Sequence, residues 1–126
     1  MDNIFLGKKL VAIHVKRFKD GTHGVTDPKQ ALQLLTQKRA KGHIVVPHLH
    51  LPKERVTKVL QEGLIVISGK LRIDLYDAKK QCFRSFLVKS GEAAVLLGVA
   101  HAVHFLEETL LYEFKNGPYL DDKKFL

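Results

Sequence analysis

Apolar residues in this chain recur at every second position over short stretches and almost nowhere at helical spacing. Val11, Ile13 and Val15 alternate within Lys9–Lys16 and predict a strand. The run Gly63–Ser68 is strongly β-prone, and Ser68-Gly69-Lys70 reads as a tight turn into a second strand at Leu71–Tyr76. Asp77–Gln81 reads as a hairpin loop before Cys82–Val88, and Lys89-Ser90-Gly91-Glu92 as a turn before Ala93–Leu97. Two further strands are expected at Val103–Leu106 and Leu110–Phe114. Upstream, Gly42–His50 is expected to be a strand, Pro52–Arg55 a loop and Thr57–Leu60 a short strand. Asp20-Gly21 and His23-Gly24 carry turn chemistry. Asp27-Pro28 has the form of a helix start, but Lys29–Lys38 fits a short helix and a strand equally well. About eight short strands, with turn signals roughly every 10 residues, predict an all-β sandwich or barrel.

Composition narrows the class. The 126 residues suffice for one domain with a real core, and no linker or repeat divides them, so residues 1–126 are expected to form a single domain. No apolar run approaches the roughly 20 residues of a membrane helix, and the N-terminus lacks the pattern of a secretory signal. The single cysteine, Cys82, excludes an internal disulfide and fits a reducing compartment, so a cytoplasmic location is expected. The net charge of +8 raises the question of nucleic acid, but the bases are scattered in pairs such as Lys8-Lys9, Lys38-Arg39 and Lys123-Lys124. Nucleic acid is not the expected partner; a milder reading is that the positive field favours anionic small molecules, which charge alone does not decide.

The candidate chemistry lies in the histidines. His48 and His50 are two apart, so on a strand both side chains leave the same face. Their Cα atoms would then sit about 6.5 Å apart, from a rise of about 3.3 Å per residue, a workable span for two imidazoles converging on one ion. A third histidine and a carboxylate from other strands would complete a mononuclear site with open coordination positions. His14, His23 and His43 lack partners at ligand spacing and are expected to be structural or exposed. Phe83, Phe86, Phe105 and Phe114 are expected in the core.

Gly42 followed after five residues by His48-Leu49-His50 resembles the start of the first cupin motif, and Glu62 with Gly69 resembles its end. Gly91-Glu92 with Gly98-Val-Ala-His101 resembles the second motif, and the chain from 113 to 125 resembles the tail of a group of small single-domain cupins. The resemblance spans about residues 42–118. It implies a cupin-type double-stranded β-helix, a jelly-roll barrel, and a metal site of His48, His50, Glu62 and His101. Two departures stand out. Glu54 has the usual spacing from the second histidine, whereas Glu62 has the usual spacing to the downstream glycine; Glu62 is preferred because it enters a strand whose Leu64 and Val66 would face inward. The second motif also has Leu96 where a proline is usual and Phe105 where an asparagine is usual.

Three neutral imidazoles and a carboxylate suit Fe, Mn, Ni, Co or Zn as divalent ions. The resemblance implies a metal-dependent enzyme of dioxygenase or isomerase type acting on a small polar or anionic molecule, or a non-catalytic cupin that binds or senses a small molecule. His104 and Tyr76 are the candidates for a catalytic base, and Arg55, Lys58 and Arg72 for anion contacts. A homodimer is expected, with the apolar strand Leu10–Val15 in need of a partner.

Overall fold

A computed structural model describes all of residues 1–126 and contains ten strands and no helix. They are β1 (Asp2–Leu6), β2 (Lys9–Val15), β3 (Gly21–Gly24), β4 (Leu35–Lys38), β5 (Glu62–Ser68), β6 (Lys70–Tyr76), β7 (Cys82–Lys89), β8 (Ala93–Leu96), β9 (Ala100–Phe105) and β10 (Leu110–Lys115). The chain is all-β, and every pairing is antiparallel. A five-stranded sheet has the order β1-β2-β8-β5-β10, a three-stranded sheet the order β7-β6-β9, and β3 pairs with β4 alone. None of these sheets closes into a barrel. No helix is long and apolar enough to cross a membrane.

Alternation along the strands decides which side chains are buried. On β6, Leu71, Ile73 and Leu75 are fully buried and meet Leu64, Val66, Val88, Ala94 and Leu96 in the larger core, between the two main sheets. Burying a side chain of this size contributes roughly 1.5–3 kcal/mol. A smaller core forms on the other side of the five-stranded sheet, where Ile13, Val15, Ala93, Val95 and Leu97 are covered by Val25 and Leu34. Gly69 links the two main sheets in one residue, with φ of 96°. A Cβ there would lie 2.5 Å from the Glu108 carbonyl and from the Thr109 hydroxyl, so only glycine fits.

The structure differs from the sequence reading in several places. Gly42–His50 and Thr57–Leu60 form no strand: the chain between β4 and β5 carries no ladder hydrogen bonds and is exposed through most of its length. A strand needs a neighbour to take its backbone groups, and alternation cannot reveal whether one is there. Asp27-Pro28 starts a turn instead of a helix, with Gln30 N–H donating to the Asp27 carbonyl at 2.9 Å. β1 and β3 were not expected; both are short, β1 with only Ile4 buried and β3 without an apolar residue, and they pair with β2 and β4. Phe83 and Phe86 pack on the core, but Phe105 and Phe114 are exposed. The apolar strand at residues 10–15 already has β1 and β8 as partners, so it gives no reason for a dimer.

Candidate metal centre

Glu62 opens β5 on the side that Leu64 and Val66 share, facing the larger core. His101 lies on β9 opposite Leu75, next to the same core. One residue thus comes from each main sheet, and the side chains meet between them. His101 Nε2 is 2.9 Å from Glu62 Oε2. The approach is poorly aligned for a ring N–H, and Oε2 is a buried oxygen without a hydrogen-bond partner. The contact is close charge proximity more than an aligned hydrogen bond.

The other ring nitrogen fixes the tautomer. His101 Nδ1 is 2.8 Å from the Val99 carbonyl, which can only accept, so Nδ1 carries the hydrogen. In the neutral ring Nε2 then holds its lone pair toward Oε2, the arrangement used by metal-ligating histidines. Without a metal the two atoms need a proton between them. The pKa shifts agree: the neighbouring imidazole holds the Glu62 carboxyl below its usual range against the opposing effect of burial. Glu62 in turn raises His101. Lys115 Nζ sits 3.3 Å from Glu62 Oε1 and is itself raised, first by Glu113 and then by Glu62.

His48 and His50 are elsewhere. Both are exposed in the strandless segment, with ring centroids 5.1 Å apart and planes nearly perpendicular. His48 Nδ1 lies 2.8 Å from the Val46 carbonyl, so its Nε2 is also left free. As the segment lies here, no group of three or more His, Cys, Asp or Glu side chains comes close enough to hold an ion. The structure therefore brings Glu62 and His101 together and His48 and His50 together, but not the two pairs. Glu54 is exposed in the same segment, whereas the Glu62 side chain is only 13% exposed.

The candidate bases divide. His104 alternates with His101 along β9 and turns to the opposite face, where Nε2 lies 2.9 Å from Asp74 Oδ2. Asp74 also accepts from Ser85 Oγ at 2.6 Å and from Arg72 Nε at 3.0 Å. This cluster holds Asp74 below the usual carboxylate range, mainly through Ser85, and it engages Arg72. It cannot act as a nucleophile relay, because Ser85 bonds the carboxylate and not the imidazole. Tyr76 lines a cavity of about 830 Å³ that also contains Glu62 and His101. His14 is buried and bonds Glu92 Oε1 at 2.8 Å, His23 bonds the Asp20 carbonyl, and His43 is exposed.

Lys115 and Asp74 were missed as neighbours of these groups. Lys115 stands opposite Glu62 across β5–β10, a register that alternation within one strand cannot supply. No family model matches the chain, and no curated protein and no solved structure is significantly similar to it.

Proposed function

We propose that this chain is a metal-binding cupin that takes a small polar or anionic molecule at a divalent transition metal held by Glu62, His101, His48 and His50. The carrying observation is the pair of donor atoms Glu62 Oε2 and His101 Nε2, 2.9 Å apart, the oxygen buried and without a hydrogen-bond partner and the nitrogen free to present its lone pair whenever the ring is neutral. Bonds of about 2.0–2.2 Å meeting at a right angle would place two donors about 2.9 Å apart. Nitrogen and oxygen donors of this kind fit Fe, Mn, Ni, Co or Zn.

The remaining two ligands require the segment before β5 to move. Two features support that. β9 is an edge of its sheet and leaves backbone groups unpaired beside His101. Ile44, Val46, Leu49 and Leu51 are 68–83% exposed, a poor resting state for an apolar run. Laid along β9 as an extended strand, the segment would put Ile44, Val46, His48 and His50 on one side. It would add a fourth strand to the three-stranded sheet and take the fold toward a jelly-roll barrel.

When bound, such an ion would polarise the oxygens of a ligand and acidify an adjacent proton, chemistry that serves isomerases, epimerases and, with iron, oxygenases. The chain's own contribution is to present the donors from two sheets and to orient the ligand beside Tyr76, with Lys115 held on Glu62. A binding or sensing cupin without turnover is the second reading, favoured by the engagement of His104 with Asp74 on the opposite face. Product analysis after incubation with candidate ligands separates the two. A second copy of the chain remains the proposed partner, on the free edge of β10, where Leu110, Tyr112 and Phe114 are exposed. Sedimentation at several concentrations tests it, and a monomer throughout counts against it.

Elemental analysis of purified protein tests the metal reading. Wild type, His23→Ala and Glu54→Gln should retain about one ion per chain. His50→Ala and Glu62→Gln should lose most of it. Equal content in wild type and His50→Ala overturns the four-residue site.

A further inference from the structure

The cavity that holds Glu62 and His101 is lined by four lysines from three separate parts of the chain. Lys80 comes from the β6–β7 loop, Lys115 from β10, and Lys123 and Lys124 from the C-terminal tail. The side-chain carboxylates lining the same cavity are Glu62 and Asp122. Lys115 and Glu62 are already paired, which leaves three cations against Asp122. The volume, about 830 Å³, falls within the usual range for small-molecule sites.

Lys80 carries a second, independent observation. It is the only non-glycine residue with positive φ, at 64°. Its loop is built for that conformation: Asp77 Oδ1 accepts from the N–H groups of Lys79 and Gln81 at 2.9 and 3.0 Å, and the Lys80 N–H donates to the Asp77 carbonyl. Glycine would take this position without strain, and the loop would keep every one of these bonds. A lysine stands there, among the residues that line the cavity. Strained positions of this kind accompany function when the side chain has a task that glycine cannot perform.

We infer that the cavity above Glu62 and His101 is a recognition site for a small molecule bearing two or more anionic groups, carboxylates or phosphates, and that Lys80, Lys123 and Lys124 are its anion contacts. The inference rests on the proposed placement of the ligand site at Glu62 and His101, and it names the class of ligand. The tail, which supplies Lys123 and Lys124 to the lining, thereby becomes part of the site. Ammonium groups on flexible stems suit this task, since they neutralise charge without demanding one ligand geometry.

The test is calorimetric titration of the full chain with malonate and, separately, with inorganic pyrophosphate, at fixed ionic strength. Wild type is compared with Lys80→Gly, Lys123→Ala/Lys124→Ala and a control, Lys8→Ala/Lys9→Ala, whose lysines lie at the β1–β2 turn outside the cavity. Metal content is measured on each sample. The expected result is a loss of fivefold or more in affinity for both cavity variants, none for the control, and an unchanged or higher melting temperature for Lys80→Gly. Weakening with malonate alone assigns the site to carboxylates, and weakening with pyrophosphate alone to phosphates. Equal affinity in wild type and both cavity variants overturns the inference, as does equal weakening by the control, which would mean general attraction to a basic protein. Because metal content is read in parallel, lysine-dependent binding without any metal upholds the inference and defeats the metal reading. Metal binding with lysine-independent anion affinity does the reverse.

Discussion

The two halves of the candidate centre contrast sharply. Glu62 and His101 sit on strands whose backbones are paired to neighbours, and their side chains meet to within 2.9 Å. His48 and His50 have the same donor chemistry on a segment with no ladder, and they point into solvent. The difference teaches that ligand residues are positioned by the hydrogen bonds of their backbone more than by their own chemistry. In the proposed centre the paired half would be in place before an ion arrives. The other half would have to be ordered, and the entropy of ordering it, roughly 1–2 kcal/mol per residue, would have to be offset by coordination and by burial of its apolar side chains.

Substitution of matched residues in the two regions breaks the comparison most strongly. Leu75, opposite His101, is fully buried, and Leu75→Ala should cost about 3 kcal/mol in urea unfolding of the metal-free chain. Leu49 is 83% exposed, and Leu49→Ala should change the same quantity by no more than about 0.5 kcal/mol. A large cost at Leu49 without metal would show that the segment is already packed.

Next in size is a pair of glycines. Gly69 and Gly42 have nearly the same φ, 96° and 91°. A Cβ at Gly69 meets backbone atoms of residues 108 and 109, whereas nothing lies within 4 Å of one at Gly42. Gly69→Ala should therefore cost about 3 kcal/mol and Gly42→Ala about 1 kcal/mol, since only the conformational penalty remains. Equal costs would mean that Gly42 is as enclosed as Gly69.

The smallest effect is the pH dependence of the paired half. Glu62 is lowered from 4.5, so its contribution is present above that value and is lost as pH falls through its depressed folded pKa. His101 is raised from 6.5, so its contribution is present below that value and is lost as pH rises through its elevated folded pKa. Metal-free stability should gain on the order of 1 kcal/mol from the pair between about pH 4.5 and 6.5 and decline on both sides. Glu62→Gln should flatten both limbs in thermal melts across pH. A wild-type curve that Glu62→Gln leaves unaltered would mean the pair is not coupled.

Much of this was legible in the chain, for identifiable reasons. Strands β5 to β8 follow β-prone runs, continuous in β5 and β8 and alternating in β6, bounded by glycine and lysine turns, and Gly69 marks the one-residue link between sheets. The preference for Glu62 over Glu54 came from its place at the head of a strand, and the structure does turn it toward Leu64 and Val66. The segment from 42 to 50 is β-branched and apolar at residues 44–46 and places His48 and His50 two apart, yet it is no strand here, because residue type says nothing of whether a neighbouring strand is there. Lys115 and Lys80 escaped for a related reason: one is placed by register across a sheet, the other by a turn conformation that lysine seldom adopts.

The central claim is that the strand-borne pair and the loop-borne pair close on one ion, and amide hydrogen exchange tests it most directly. Exchange across residues 43–51 is followed by mass spectrometry with and without zinc, in wild type and in His101→Ala. The account predicts fast exchange without metal, at least tenfold protection with it, and no metal-dependent protection in His101→Ala. Stoichiometric zinc binding that leaves 43–51 exchanging at the metal-free rate, or protection that persists in His101→Ala, would contradict it.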